Sequence, residues 1–300
     1  MQTFSTGKLL LTSEYVILDG ALALAVPTRL GQEFSCEENT TAPHHILWEA
    51  FHQNKPWLKI KINYKNWKII ETNIPSSAQF ILKTLQIIQK LSLDKFKDKT
   101  SYHIKTNLQF PANFGWGSSS TLMVNLSRWA NINAFELNKM VLGGSGYDIA
   151  VAQEISAILY RLENNQRHIE RLRYSPNFKN ELILIHLNQK QDSREGINLY
   201  RSQPKSQKLI NDFSEITKDI LYTKNIGDFT ELMKLHEKKL SNFLRLNTIK
   251  EKYFADCPSF VKSLGAWGGD FVLSTKFSDY KNYFSERGFT TVLDYEDVVL

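Results

Sequence analysis

Apolar positions along this chain switch between a period of two and a period of about 3.6, and the switches lay out alternating strands and helices. Residues 7–12 and 22–26 are apolar runs bounded by turn residues. Residues 32–36 and 102–108 alternate or carry β-formers, and the WLKIKI stretch at 57–62 alternates strictly. Between these strands, Phe80, Ile81, Leu85, Ile88 and Leu91 recur at helical spacing. They predict a helix over 77–91, with Ser76 or Ser77 as its cap. A further helix is predicted over 121–132. Strands interleaved with helices in this way imply an α+β layered domain.

After Asp148 three more strands are predicted, at 158–162, 169–174 and 182–187. Two helical stripes follow. Leu209, Ile210, Phe213, Ile216 and Ile220 form one, and Phe229, Leu232, His236, Leu240 and Phe243 form the other. A strand at 271–274, a helix at 279–287 and a strand at 290–294 complete a smaller α+β unit. The change of pattern puts a domain boundary near residue 185, giving domains 1–185 and 186–300.

The composition changes this picture little. With 300 residues, 42% of them hydrophobic and 23% charged, the chain can bury a sizeable core and reads as globular. The first twenty residues lack a basic leader and a long apolar run, so they do not read as a signal peptide, and no stretch predicts a membrane span. Two cysteines far apart, Cys36 and Cys257, fit a reducing cytoplasm and no disulfide framework. The histidines lack metal-ligand spacing, and the pair His44-His45 falls in an expected loop. The net charge of +6 suits nucleic acid or small anionic substrates. The basic residues are spread along the chain without a dense aromatic-laced cluster, which favours the substrates over nucleic acid.

Four segments carry candidate chemistry. PANFGWGSSST at 111–121 lies between an expected strand and an expected helix. Gly115 and Gly117 allow positive φ and close approach of a ligand, while free N–H groups at a helix start favour an anion. Serine hydroxyls there suit phosphate oxygens or Mg²⁺; a serine-capped turn without a ligand has the same composition. The loop lacks the lysine of a P-loop and the third glycine of a dinucleotide fingerprint. GGSGYDIAVA at 143–152 delivers Asp148 to a helix start, either as a functional carboxylate or as an N-cap. KSLGAWGGD at 262–270 runs into a strand, as a ligand-side loop or a tight turn. GKLLLTSEYVILDG at 7–20 places Lys8 at a strand edge, where a lysine is commonly just solvated.

Together, and in this order, the four segments resemble the GHMP kinases, the family of galactokinase, homoserine kinase, mevalonate kinase and phosphomevalonate kinase. The family's P-x-x-x-G-L-G-S-S loop matches 111–119 with Trp116 in place of Leu. Its N-terminal G-K…G-E-[HY] pattern matches 7–17 with Ser13 in place of Gly. S-G-x-D matches 145–148, and G-A-G-G-G-D matches 265–270 with Trp267 in place of the middle Gly. The wording around Glu14 and Asp148 is most similar to the mevalonate and phosphomevalonate kinases. The stretch from Leu232 to Leu240 resembles a helix near the active site of those enzymes, although His236 also fits a helix face at a core edge.

The resemblance implies a two-domain α+β fold: an N-terminal domain like ribosomal protein S5 domain 2 and a ferredoxin-like C-terminal domain, with the cleft between them. It implies ATP and Mg²⁺ as cofactors and a cytoplasmic monomer or homodimer acting on a small anionic metabolite. Asp148 would be the catalytic carboxylate and Lys8 its cationic partner. Gly115, Gly117, Ser118, Ser119 and Ser120 would hold the triphosphate. Glu14 and Tyr15 fall at substrate-side positions, and Gly265, Gly268 and Gly269 would complete the cleft wall. Ser119 is the candidate Mg²⁺ ligand. The family's acidic ligand lies about 11 residues before the aspartate, where this chain has Leu137; Glu136, one residue earlier, is the nearest carboxylate. A non-catalytic binding protein on the same fold, homoserine or sugar kinases, mevalonate diphosphate decarboxylase and an RNA-binding protein are the alternatives.

Overall fold

In the computed structural model, residues 1–40, 42–189, 193–265 and 267–300 are described, and they pack as two compact units. The division follows packing rather than chain order. One unit comprises 1–7, 30–112 and 116–155, and the other comprises 8–29, 113–115 and 156–300.

The first unit is built on strands β1 (Gln2–Leu10), β2 (Ala23–Asn39), β3 (His45–His52), β4 (Lys55–Asn63), β5 (Lys68–Thr72) and, after helix α1 (Pro75–Leu91), β6 (Ser101–Leu108). Within it, the second half of β2 pairs antiparallel with β6, Gln32 opposite Leu108 and Asn39 opposite Ser101. Strand β6 pairs parallel with β3, and β3, β4 and β5 form an antiparallel meander. Alternation decides which face is buried: Leu58, Ile60 and Ile62 of β4 point into the core while Lys59 and Lys61 face out. Helices α1, α2 (Ser118–Ala130), α3 (Ala134–Val141) and α4 (Tyr147–Glu154) cover that apolar face around Trp48, Leu85, Ile104, Met123 and Leu126.

The second unit takes the first residues of β2, where Ala23–Ala25 pair with β7 (Ala157–Glu163), itself in a hairpin with β8 (Gln166–Leu172). Strand β9 (Leu182–His186) follows, and then helices α5 (Ser193–Ser202), α6 (Gln207–Tyr222), α7 (Ile226–Leu244) and α8 (Ile249–Tyr253). Strands β10 (Lys262–Leu264) and β11 (Phe271–Thr275), helix α9 (Tyr280–Glu286), strand β12 (Val292–Asp294) and helix α10 (Tyr295–Val298) close the chain. A separate antiparallel sheet runs in the order β10-β11-β9-β12. No described helix is long and apolar enough to cross a membrane.

Several expected elements differ. The runs at 22–26 and 32–36 are one continuous strand, and Pro27 lies outside its ladders with β7 and β6, so the missing N–H interrupts neither of them. Strands β3 and β5 were not expected. His45 opens β3, so only His44, at φ 62°, belongs to the turn. Helix α1 is capped by neither Ser76 nor Ser77: Pro75 occupies its first turn, where its ring presets φ, and Ile74 is the N-cap. Helix α2 begins three residues before the expected position, at Ser118.

Candidate active site

The glycine loop enters α2 through Gly117, the N-cap, at φ 85° in the left-handed region and with no side-chain cap. The first N–H groups of a thirteen-residue helix are thereby left for an external acceptor. The hydroxyls of Ser118 and Ser119 make no hydrogen bond among the described residues, and Ser119 is exposed. Ser120 is different. It is buried and its Oγ donates to the Gly117 carbonyl at 2.8 Å, so it closes the turn instead of facing outward. Trp116 is buried against Phe110, with ring centroids 5.5 Å apart, which accounts for the large residue where the family pattern has Leu.

Gly115 is held from two sides within the second unit. The Lys8 ammonium donates to its carbonyl at 2.8 Å. A Cβ built at Gly115 would overlap the Asp270 carboxylate, and its φ of 68° also favours glycine. Residues from three separated motifs (Lys8, Gly115 and Asp270) therefore converge on one peptide. Gly265 and Gly268 of the last motif have positive φ, 77° and 82°. Gly269, which lacks it, is buried in the same turn, and Ala266 lies outside the described residues.

Asp148 sits in the first turn of α4, two residues past the N-cap, which is Gly146 at φ 87°. The capping alternative therefore does not describe it. Its Oδ1 accepts the Ile149 N–H at 3.0 Å, and the positive end of the helix favours the ionised carboxylate. Glu136 is exposed in the first turn of α3, where Asn133 is the cap, while Leu137 is fully buried. No group of three or more His, Cys, Asp or Glu side chains able to hold a metal occurs among the described residues. Mg²⁺ commonly uses only one or two carboxylates together with substrate phosphates. The donors here suit an ion carried by a nucleotide better than a protein-built cage.

Glu14 and Tyr15 lie in a tight turn after β1 whose residues Ser13 and Tyr15 both have φ 63°. Ser13 tolerates the conformation that glycine adopts in the family pattern, and its Oγ donates to the Leu22 carbonyl at 2.6 Å. Neither following side chain is open. The Tyr15 hydroxyl accepts the Trp267 N–H at 2.7 Å, and its ring stacks on Tyr200. Trp267 is itself buried in the cluster that contains Tyr15, Tyr200, Phe213 and Leu240. Glu14 is 2% exposed and paired with Lys262, 1% exposed, at 2.5 Å.

His236 and Glu237 complete this buried cluster. The Ser13 amide donates to His236 Nε2 at 2.8 Å, so that nitrogen is unprotonated and the neutral ring carries its proton on Nδ1. Burial, then the Lys262 charge, hold the His236 pKa well below the usual value. Glu14 Oε2 lies 3.3 Å from the same Nε2, and burial pushes the Glu14 pKa up against the opposing pull of Lys262. Glu237 accepts the Ser263 hydroxyl at 2.9 Å and, mainly through burial, is pushed up to about 7. Two carboxylates thus face one ammonium.

The folded Glu237 holds its proton at pH values where an unfolded glutamate has lost it. Its contribution to stability is present near pH 5 and is lost as pH rises toward and through about 7. Glu237→Gln, neutral at all pH and still an acceptor for Ser263, is expected to raise Tm relative to the native chain more at pH 8 than at pH 5, by several degrees. Thermal melts at the two pH values test this. An equal Tm difference at both would show that Glu237 is ionised throughout.

Lys262, Glu237 and Asp270 were missed as site residues. Lys262 and Asp270 border the last glycine motif, and Glu237 follows His236, so adjacency was the available signal.

No protein-family model and no curated protein sequence matches the chain. Solved structures do. Methanococcus jannaschii mevalonate kinase is 18% identical with a TM-score of 0.69, covering 97% of this chain and 96% of that one. Streptococcus pneumoniae phosphomevalonate kinase, in complex with phosphomevalonate and AMPPNP, is 17% identical with a TM-score of 0.66, covering 97% and 99%. Lactococcus lactis galactokinase complexed with galactose is 11% identical with a TM-score of 0.64, covering 95% and 88%. These likenesses run through nearly the whole of each chain, and the one large mixed sheet and separate antiparallel sheet agree with them. The chain has the two-domain α+β fold of the GHMP kinases.

Proposed function

We propose that this protein is an ATP-dependent small-molecule kinase that phosphorylates an alcohol or phosphate group of a small anionic metabolite, of the mevalonate or phosphomevalonate type. The observation that carries the reading is the glycine loop opening α2 on this fold, with Lys8 bonded to the loop carbonyl of Gly115. The AMPPNP bound by a structural neighbour supports ATP as donor.

Phosphoryl transfer needs positioning and charge stabilisation more than covalent help. In this reading the N–H groups after Gly117 and the hydroxyls of Ser118 and Ser119 hold the triphosphate, while Ser120 keeps the turn closed. Ser119 and Glu136 are the protein candidates to hold a Mg²⁺ carried by the nucleotide, which would neutralise phosphate charge. Asp148 aligns the acceptor hydroxyl and takes its proton late, and Lys8 steadies the developing charge. Glu14 and Tyr15 act by shaping the turn after Lys8, since both side chains are committed internally. The buried packing of Trp116 and Trp267 gives both departures from the family pattern a structural role.

ADP release with mevalonate, phosphomevalonate, homoserine and galactose in turn tests the substrate class. Mevalonate or phosphomevalonate is expected to turn over fastest. Faster turnover of galactose would move the protein to the sugar kinases, and ATP binding without turnover of any acceptor would favour a non-catalytic binding protein.

A further inference from the structure

Helix α2 carries an unusual stripe. Thr121, Asn125 and Arg128, at i, i+4 and i+7, share one face of a helix whose other residues after Ser120 are, Ser127 apart, apolar and buried. Each of the three side chains is hydrogen-bonded within the first unit. Thr121 Oγ1 donates to Gln32 Oε1 at 2.8 Å, and Asn125 Nδ2 donates to the Gln32 carbonyl at 2.9 Å. Ser5 Oγ donates to Asn125 Oδ1 at 2.8 Å and accepts from Arg128 Nη1 at 3.2 Å. Arg128 Nη1 also reaches the Phe4 carbonyl at 2.8 Å. Its Nη2 donates to the carbonyls of Ala152 and Gln153, at 3.4 and 3.2 Å.

Ala152 and Gln153 lie in the last turn of α4, where carbonyls have no intrahelical donor and the helix dipole is negative. Asp148 stands in the first turn of that same eight-residue helix. One guanidinium therefore ties three elements together: α2, whose N-terminus is the phosphate loop; α4, which carries Asp148; and β1, three residues before Lys8. Apolar packing alone lets a helix slide or roll by a fraction of a turn, whereas a planar fork on four acceptors fixes both. Thr121 and Asn125 are buried and Arg128 half-buried, which costs desolvation that Leu or Val would avoid, so the return is sought in geometry.

We propose that Arg128 is a positioning residue that sets Asp148 against the nucleotide loop by anchoring the C-terminal end of α4 to α2. The inference rests on the kinase reading above, in which Asp148 addresses the acceptor. Lysine is the conservative variant and supplies a charge without the fork. Alanine leaves a space that guanidinium ion can re-enter.

The test compares native protein, Arg128→Lys, Arg128→Ala and Asp148→Asn for ATP affinity, kcat, and amide hydrogen exchange in α4 against α1. Arg128→Ala is expected to lower kcat by about 10- to 100-fold with ATP affinity within about threefold. Exchange should be faster across 149–155 and unchanged in α1. Guanidinium at low millimolar concentration should restore part of kcat to Arg128→Ala and none to Asp148→Asn. Arg128→Lys, which also covers the case of an alanine variant that does not fold, should fall between. A folded Arg128→Ala with native kcat beside an impaired Asp148→Asn would overturn the positioning role and leave the kinase reading intact. A silent Asp148→Asn would instead remove the role of Asp148 toward the acceptor, and absence of turnover in the native protein would remove the kinase reading. Exchange across α4 would then decide, and unchanged protection in Arg128→Ala would overturn the anchor as well.

Discussion

Asp148→Asn is expected to lower turnover by about 10²-fold or more while leaving ATP affinity and Tm nearly unchanged. The substitution preserves shape, and the Asn Oδ1 can still accept the Ile149 N–H that Asp148 accepts at 3.0 Å. It removes only the negative charge and the basic oxygen. Because Gly146 is the N-cap, no capping energy is at stake, and a loss of turnover reports on chemistry and not on helix stability. Lys8→Met should also reduce turnover. The double variant should lose less than the product of the two single losses, since in the proposed mechanism both residues serve one proton and one developing charge. A fully active Asp148→Asn enzyme would defeat this mechanism whatever the fold. Steady-state rates with the best acceptor, beside ATP titration and a thermal melt, decide it.

Gly115→Ala is expected to weaken nucleotide binding by at least tenfold without unfolding the protein. Two effects add at this position. A residue with a Cβ at φ 68° carries about 1–2 kcal/mol of left-handed strain. The new methyl would also overlap the Asp270 carboxylate, so that either the loop or the β11 side of the contact must move. Asp270→Gly removes the second effect and leaves the first. The double variant should therefore regain part of the lost affinity, measured by calorimetric titration with a non-hydrolysable ATP analogue. If Gly115→Ala binds as tightly as the native loop, the backbone there does not approach a phosphate. If the double variant is as weak as the single, the Asp270 contact is not the obstacle.

The sequence revealed these glycines because their spacing and order are local properties of the chain. It did not reveal what holds them. Asp270 meets Gly115 across 155 residues, and Lys262 meets Glu14 across 248, distances over which no periodicity informs. Strand β4 was legible since WLKIKI has one face buried and the other bearing lysines. Strand β3, HILWEAFH, has the same alternation of buried Ile46, Trp48 and Ala50, but its first residue, His45, was placed with His44 in a loop and the run was not expected as a strand. The runs at 22–26 and 32–36, expected as separate, join through Pro27, because a proline outside the ladders with β7 and β6 removes a donor from neither. Polar stripes on helices normally face water, so Thr121, Asn125 and Arg128 carried no sign that they turn inward onto partners within the protein. Glu14 was picked out by its motif as a substrate-side residue. Only its near-zero exposure and its lysine partner show that its carboxylate is spent internally.

The way the second unit draws on both ends of the chain has a consequence for synthesis. Its residues 8–29 leave the ribosome well before its larger part, 156–300. At about 5–20 residues per second, Glu14 waits roughly 12–50 s for Lys262. During that interval Leu9–Leu11, Val16 and Ala23–Val26, all buried in the finished molecule, lack the surfaces they will pack against. The first unit can gather around its own sheet much sooner. The nascent chain should therefore pass through a stage with one unit formed and an apolar N-terminal segment still exposed, the kind of segment that holdase chaperones retain. Crosslinking of stalled nascent chains at about 200 and 300 residues would find a chaperone on 8–29 in the shorter chain and release from it in the longer one.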